Sequence, residues 1–498
     1  MESAPLSQDG TLAEGAEDNL LDSPRAGPAV IRGGLLRIVA YVVGTLAGVG
    51  SAALLFRHLG VVETGRYSLA LALVAIVAGV SDLGLTAIGV RELSTLSGAP
   101  RDAFSRNLIG IRFAVSVSGA VAVTAFAAVA GYGATLTLGV ALAGAGLVLQ
   151  SMQSALTMSL ISDLRLGWVA AFEFGRALLN AALIVALVLA GAHLLPFLAV
   201  TIPVGVVVLA LNAWLVRGRI PLRPSFHARE WRAVIGDVLP YSLAVAAGTL
   251  YFYLALILVS LFSNAYAVGY FGVSARVIQV LLVVPGLAVG GAFPIFSRAA
   301  RDDRVRLEYA LGRVFEVSLI IGVLVALCLA IGSSFVIEVV AGPKFAPAAT
   351  ILAIQGVGLA ASFAGAVWSN GLLSIGRYRA ILTISLSALV GGGVIVAVLV
   401  SIDGAKGAAI GTAVGELMIA LLTGAALARA DPALRPPLRV VPAVALAVAL
   451  AVASTAIEVP VLVSVAIALV IYTAAVFVLG AIPEELTEQL RLRARLRA

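Results

Sequence analysis

The chain has 498 residues, 61% of them hydrophobic and only 12% charged, with a mean hydropathy of +1.09. A soluble domain carries about 25% charged residues and under 50% apolar ones, so a soluble fold is excluded and lipid must solvate the excess apolar surface. One cysteine, Cys328, allows no disulfide within the chain, and three scattered histidines (His58, His193, His227) make no multi-histidine metal site. The formal charge of +7 and the pI of about 9.8 raise nucleic acid as a partner, and the distribution of that charge argues against it.

Residues 1–31 are polar and acidic, without a basic stretch leading into an apolar one, so they read as a disordered cytoplasmic tail and not as a cleaved signal peptide. Beyond them the apolar runs reach the roughly 20 residues that a helix needs to cross hydrocarbon. Fourteen such spans are expected, at 34–56, 67–90, 107–130, 135–159, 169–191, 194–215, 237–261, 268–295, 314–336, 349–373, 380–401, 406–428, 439–457 and 460–481. With the N-terminus inside, the cytoplasmic side receives 24 arginines: 25, 32, 91, 101, 106, 165, 217, 219, 223, 229, 232, 298, 301, 304, 306, 377, 379, 429, 435, 439, 491, 493, 495 and 497. The outer side receives four basic residues, Arg57, Arg66, Lys344 and Lys406, and five more lie in or at the ends of spans (Arg37, Arg112, Arg176, Arg276, Arg313). Lys and Arg near helix ends stay cytoplasmic, and one early miscount would erase this bias. It therefore supports both the count and an orientation with both termini cytoplasmic. The basic pI becomes a topology signal, and no nucleic-acid partner is expected.

Two stretches look alike at an offset of about 204 residues. Gly65-Arg66-Tyr67 opens span 2 as Gly269-Tyr270-Phe271 opens span 8, and Asn107 before span 3 corresponds to the region near Leu311 before span 9. Leu164-Arg165-Leu166-Gly167-Trp168 likewise resembles Gly376-Arg377-Tyr378-Arg379. Six spans per unit is even, so the units face the same way, as in transporters built from parallel repeats. The expected division is a tail (1–31), an N-lobe (32–216), a cytoplasmic linker (217–233), a C-lobe (234–430), two extra spans (431–482) and a basic tail (483–498).

Ionisable groups inside spans face a cavity or a partner by default. In span 1, Arg37, Tyr41, Thr45 and Gly48 share a helix face, although Arg37 is close enough to the cytoplasmic end to snorkel. Arg112 in span 3 is similar. Span 2 carries a lone acid, Asp82, and span 12 another, Glu416; either could carry a proton or accept local hydrogen bonds. Glu173 and Arg176 in span 5 are spaced for a local ion pair. Arg276 lies about 12 Å into span 8, with Gln279 one turn on and Gly272 one turn back. Its forked, permanently charged guanidinium suits an anion, or a structural acid. Gln150, Ser154 and Thr157 in span 4, and Gln355, Ser362 and Ser369 in span 10, form polar stripes that serve helix packing at least as often as transport. Pro203 and Pro285-Gly286 can bend their helices. No P-loop, HExxH or GxSxG motif occurs, and the outward loops are short, so an enzyme is not expected.

Arg57-His58-Leu59-Gly60-Val61-Val62-Glu63-Thr64-Gly65-Arg66-Tyr67-Ser68 resembles the segment joining the first two helices of polysaccharide flippases, in the multidrug/oligosaccharidyl-lipid/polysaccharide superfamily. So do Ser81-Asp82-Leu83-Gly84-Leu85 followed by Arg91, and Val268-Gly269-Tyr270 with Ala275-Arg276, Pro285 and Pro294. Ala341-Gly342-Pro343-Lys344-Phe345-Ala346-Pro347-Ala348 and Asn370-Gly371-Leu372-Leu373 before Gly376-Arg377 complete the set, whose order and spacing are more specific than any member. The resemblance implies an all-α integral membrane protein with about 14 transmembrane helices: a V-shaped pair of six-helix lobes plus two C-terminal helices. It implies a flippase of the cytoplasmic membrane that moves an undecaprenyl-diphosphate-linked oligosaccharide or polysaccharide repeat unit from inner to outer leaflet by alternating access. Arg276 would hold the diphosphate, with Arg37, Arg112, Tyr41 and Gln279 around it. Asp82, Glu173, Arg176 and Glu416 would serve coupling or charge balance. No cofactor is expected beyond H+ or Na+ coupling. The partners are the lipid-linked glycan, membrane lipids, and glycosyltransferases or a polymerase of the same pathway. Many relatives carry an acid in helix 7 after an aromatic pair, where this chain reads Tyr251-Phe252-Tyr253-Leu254-Ala255. The rival readings are a lipid II flippase, a multidrug/cation antiporter of the same superfamily, and a non-transporting scaffold of a glycan-assembly complex.

Overall fold

A computed structural model describes residues 26–82, 85–226, 239–435, 437–457 and 459–481, with side chains in the first segment from residue 43. Residues 1–25 of the predicted tail, 227–238 around the linker, and the basic tail from 482 on lie outside the described residues. Every regular element among the described residues is helical. Lipid cannot satisfy a backbone N–H or C=O, so apolar runs of this length close their hydrogen bonds within themselves.

The elements, in chain order, are α1 (Ala26–Asp82), α2 (Leu85–Thr95), α3 (Gly98–Val129), α4 (Gly133–Ser162) and α5 (Leu166–Leu189). Next come α6 (Leu194–Ala199), α7 (Thr201–Val216), α8 (Leu239–Phe262), α9 (Ala265–Asp302) and α10 (Arg304–Ala341). The last are α11 (Ala348–Ser374), α12 (Tyr378–Ser387), α13 (Gly393–Ala430), α14 (Val441–Ala453) and α15 (Val461–Val478). One π turn, Ala388–Gly392, joins α12 to α13. The break between α6 and α7 follows from Pro203, which has no N–H for the carbonyl of Ala199. Asn264 caps α9 by accepting from the Ala267 N–H at 2.9 Å, and Asp303 caps α10 through the Arg306 N–H at 3.0 Å.

Twelve helical segments among the described residues are long and apolar enough to cross a membrane, two of them far longer than one crossing requires. Both fold back on themselves. In α1 the backbone leaves the helical region at Gly60 (φ 73°, ψ −178°). The first arm runs beside α5, with Gly44 against Ala177, and ends where His58 Nε2 meets the Ala192 carbonyl at 2.8 Å. The second arm returns, so that Asp82 at its end bonds Arg112 near the middle of α3. In α13 the break is at Asp403–Gly404, and beyond it Gly411 packs on Val396. In a straight helix those two residues would stand about 22 Å apart. Each of these two segments thus forms two arms, where fourteen separate spans were expected and twelve continuous segments are found among the described residues. Span 2 ends earlier than predicted, at Asp82, and its last residues belong to the separate helix α2.

The packing repeats between halves. In the first half α1 packs on α5, α3 on α4, α4 on α7 and α1 on α4; in the second, α8 packs on α12, α10 on α11, α11 on α13 and α9 on α11. The turns before α5 and α12 match in detail. Arg165 has φ −82°, ψ 49° and Arg377 has φ −83°, ψ 51°, each after a left-handed residue, Leu164 (φ 54°) and Gly376 (φ 72°). The offset is 204 residues where α1 meets α9 and has grown to 212 by these turns. The additional residues lie at the end of α10 and in the turn Gly342–Pro347, where the first half has only 130–132.

Among the described residues, α1 carries the extended contact from the first half to the second, against α8, α9, α10 and the turn Pro343–Phe345. Its core is a crossing of equivalent residues. A Cβ on Gly65 would lie 2.8 Å from the nitrogen of Gly269, and one on Gly269 would collide with the Val61 carbonyl. One turn further, Gly272 presses on Ser68. Equivalent residues touch each other only on the axis that relates them, so a pseudo-twofold axis passes here. Tyr132 OH adds a second bridge between halves, 2.8 Å from Ser260 Oγ.

The two extra helices are fastened to α10. The Glu316 side chain, 4% exposed, accepts from Arg313 at 2.9 Å and from two nitrogens of Arg439 at 3.0 and 3.1 Å. Arg304 pairs with Asp431 at 3.1 Å, and the buried Tyr472 donates to the Ile320 carbonyl at 3.0 Å. Arg439→Ala leaves the buried carboxylate one partner short and should cost about 1–2 kcal/mol. The expected readout is a melting temperature in detergent lowered by a few degrees, with proteolysis appearing between α13 and α14. An unchanged melting curve would show that this cluster does not hold the pair.

Candidate functional site

Gly269, Gly272, Arg276 and Gln279 lie on one face of α9 by their spacing. The first two press against α1, and beyond them the halves separate and Arg276 is exposed. Arg276 Nη1 donates to Gln279 Oε1 at 3.1 Å, and among the described residues the guanidinium has no acidic partner. The phenols of Tyr67, from α1, and Tyr253, from α8, lie within electrostatic reach of it. Both halves thus contribute to the surroundings of a cation that stands about 16 Å from the start of α9. Its unused donors and fixed charge can bind a phosphate or diphosphate oxygen. The two tyrosines were not singled out in the sequence, because nothing local marks them.

The other arginine singled out by sequence with described side-chain contacts in the first half is engaged. Arg112, 4% exposed, donates through Nη2 to Asp82 Oδ1 at 2.6 Å and lies 2.7 Å from Thr86 Oγ1, while Thr86 donates to the same carboxylate oxygen at 2.5 Å. Asp82 is therefore not a lone acid. The cluster stitches the end of α1 to the start of α2 and the middle of α3. Glu173 and Arg176 are electrostatic neighbours on α5, in keeping with their spacing. Arg37 and Tyr41 fall on the first arm of α1, and their side chains lie outside the described residues.

Glu416 occupies a different place, wholly within the second half. Ser362 donates to its Oε2 at 2.7 Å. A cavity of about 60 Å³ is lined there by Tyr251, Phe252, Gln355, Ser362, Thr412 and Glu416, with Ala275 of α9 on its wall. That is room for a few waters or a small cation, not for a sugar. The Tyr251 hydroxyl, pressed against Gly415, is buried without a hydrogen-bond partner, and Gln355 accepts from Ser274 of α9. Helix α8 lacks an acid at this level, and the second arm of α13 brings one to it. Two matching contacts, Gly146 on Thr201 and Gly358 on Ala413, fix the equivalence here at 212 residues, so Glu416 corresponds to Val204. Only the second half carries a carboxylate at this position. Among the described residues no group of three or more His, Cys, Asp and Glu side chains could hold a metal ion.

No family model matches the chain, and no curated sequence does. Solved structures do. The lipid II flippase MurJ, in an inward closed conformation, aligns with a TM-score of 0.74 at 13% identity, over 89% of this chain and 98% of MurJ. An inward-facing multidrug resistance transporter of the MATE family aligns with a TM-score of 0.62 at 16% identity, over 80% of this chain and 98% of its own. A transporter from Pyrococcus furiosus with a binding pocket of reverse polarity aligns at 0.57 and 17%, over 82% and 96%. The fold is the all-α multi-pass membrane architecture that these solved transporters share.

The Asp82–Arg112 cluster should behave as structure. Asp82→Asn strands a buried guanidinium and should cost about 3 kcal/mol, read as loss of monodisperse protein on size-exclusion chromatography. The exchange Asp82→Arg with Arg112→Asp should restore part of it. A well-folded Asp82→Asn protein at parental yield would contradict this assignment.

Proposed function

We propose that this protein is a flippase for a saccharide linked to a polyprenyl diphosphate, moving it from the inner to the outer leaflet of the cytoplasmic membrane by alternating access. The observation that carries the reading is Arg276, a cation that has no acidic partner among the described residues, on the α9 stripe that begins at the crossing of the halves. A cation there favours an anionic head group over a cationic drug. The likeness to MurJ, whose cargo is lipid II, extends over 89% of this chain and favours a lipid-linked cargo. An undecaprenyl-diphosphate oligosaccharide or polysaccharide repeat unit is the first reading and lipid II the second. The two share the diphosphate and differ in the sugar. The charge bias supports cytoplasmic termini, and the enzymes that build or polymerise the glycan are the expected partners. Glu416, in its small cavity, is the carboxylate that we assign to H+ or Na+ coupling.

In vesicles carrying a labelled undecaprenyl-diphosphate oligosaccharide or lipid II, the protein should accelerate exposure of the label in the opposite leaflet. Arg276→Ala should slow this by about 10- to 100-fold, the worth of a charge-assisted hydrogen bond, with folding unchanged. Glu416→Gln should abolish the response to an imposed proton or sodium gradient. No acceleration for either glycan would refute the flippase reading, and parental flipping by Arg276→Ala would remove that residue from the site.

A further inference from the structure

The two halves are equivalent along most of their length, and they differ at the face opposite the arginine-rich connections. There the second half has a longer helix end and the turn Gly342–Pro347, where the first half has residues 130–132. The turn is built into the core. Phe345 is fully buried, packs edge-on against Tyr270 of α9 at 6.5 Å, and shares a hydrophobic cluster with Leu55 and Phe56 of α1.

Arg57 ends the first arm of α1 at this same place. Its Nη2 donates to the Glu338 carbonyl at 2.9 Å and to the Val339 carbonyl at 2.8 Å. Its aliphatic stem lies over Gly342, which has a φ of 88° and could not carry a side chain without strain. Both acceptors are in the last turn of α10, where the dipole presents its negative end; the Glu338 carbonyl also accepts from the capping Gly342 N–H at 3.0 Å, and Arg57 takes up its remaining acceptor capacity. A guanidinium there is anchored by backbone, and the contact needs no particular acid. Arg57 belongs to the first half and its acceptors to the second. The residue equivalent to Arg57 at an offset of 204 is Leu261, which is exposed and can make no such bond. The contact is therefore one-sided.

We propose that Arg57 is a latch: its two bonds to the end of α10 hold the halves together at the face opposite the arginine-rich one, and the space around Arg276 opens to that face only when they break. The glycine crossing at Gly65 and Gly269 lies one to two turns below and gives closely packed backbones about which the halves can rotate. The inference concerns the motion of the molecule and is independent of the cargo. A rocking mechanism needs a closed state that is stable yet reversible, and two charge-assisted bonds at an exposed rim can be exchanged for water.

The test uses the full chain in lipid nanodiscs, in a Cys328→Ser background, with spin labels at His193→Cys in the first half and Lys344→Cys in the second. Pulsed electron–electron distance measurements on the parent should show one dominant short distance. Arg57→Ala should raise the fraction of a longer distance several-fold, and Arg57→Lys, which can still donate to the carbonyls, should fall between. Arg66→Ala, which removes a basic residue of the same face paired only with Glu63, should leave the distribution as in the parent. A parental distribution in Arg57→Ala, or an equal shift in Arg66→Ala, would overturn the latch. Arg57→Gln provides the same reading should the alanine variant fail to fold.

Discussion

The architecture depends on the near-contact of two backbones where Gly65 meets Gly269. A side chain at either position would push α1 from α9 and loosen the extended contact between the halves that the described residues make. Because the two glycines are equivalent in the repeat, each half presents the same surface to the other, and the contact is self-complementary as a twofold interface must be. Close approach of small residues replaces the hydrophobic driving force that is absent between helices in lipid. Two turns further on α9 loses this cover, which is how Arg276 comes to be exposed.

From that crossing the charged groups sort by location. Those within a half are paired: Asp82 with Arg112, and Glu316 with Arg313 and Arg439. Burying a charge without a partner is expensive, and each of these pairs ties one helix to its neighbours. Arg276 departs from this rule at the interface, and Glu416 departs from it inside the second half, where only Ser362 bonds it. The cation and the acid both adjoin α9, since Ala275 borders the Glu416 cavity and Arg276 follows it directly.

Much of the fold was legible in the sequence because lipid imposes a one-dimensional code. Apolar length gave the crossings, and the arginine bias gave their alternation. The repeat was legible at Leu164-Arg165 and Gly376-Arg377, since a left-handed turn leaves a local signature. Its change of register, from 204 to 212, was not, because the additional residues form a buried turn at Phe345 that reads as an ordinary loop. The pairings were also hidden. Asp82 and Arg112 are 30 positions apart, and Glu316 and Arg439 are 123 apart, so neither follows from helix periodicity. Arg276 stood out as an arginine in an apolar run. Its neighbours Tyr67 and Tyr253 did not, since only the packing of α1 and of α8 against α9 brings them near.

The central claim is that a cation between the two halves grips the diphosphate of a lipid-linked cargo. Its most direct measurement is binding, separate from transport: the affinity of the purified protein for undecaprenyl diphosphate, undecaprenyl monophosphate and undecaprenol, by native mass spectrometry or titration in nanodiscs. The account predicts preference in that order, with the preference for diphosphate lost in Arg276→Ala and kept in Glu416→Gln. Equal binding of all three lipids, or an Arg276→Ala protein that still prefers the diphosphate, would contradict it.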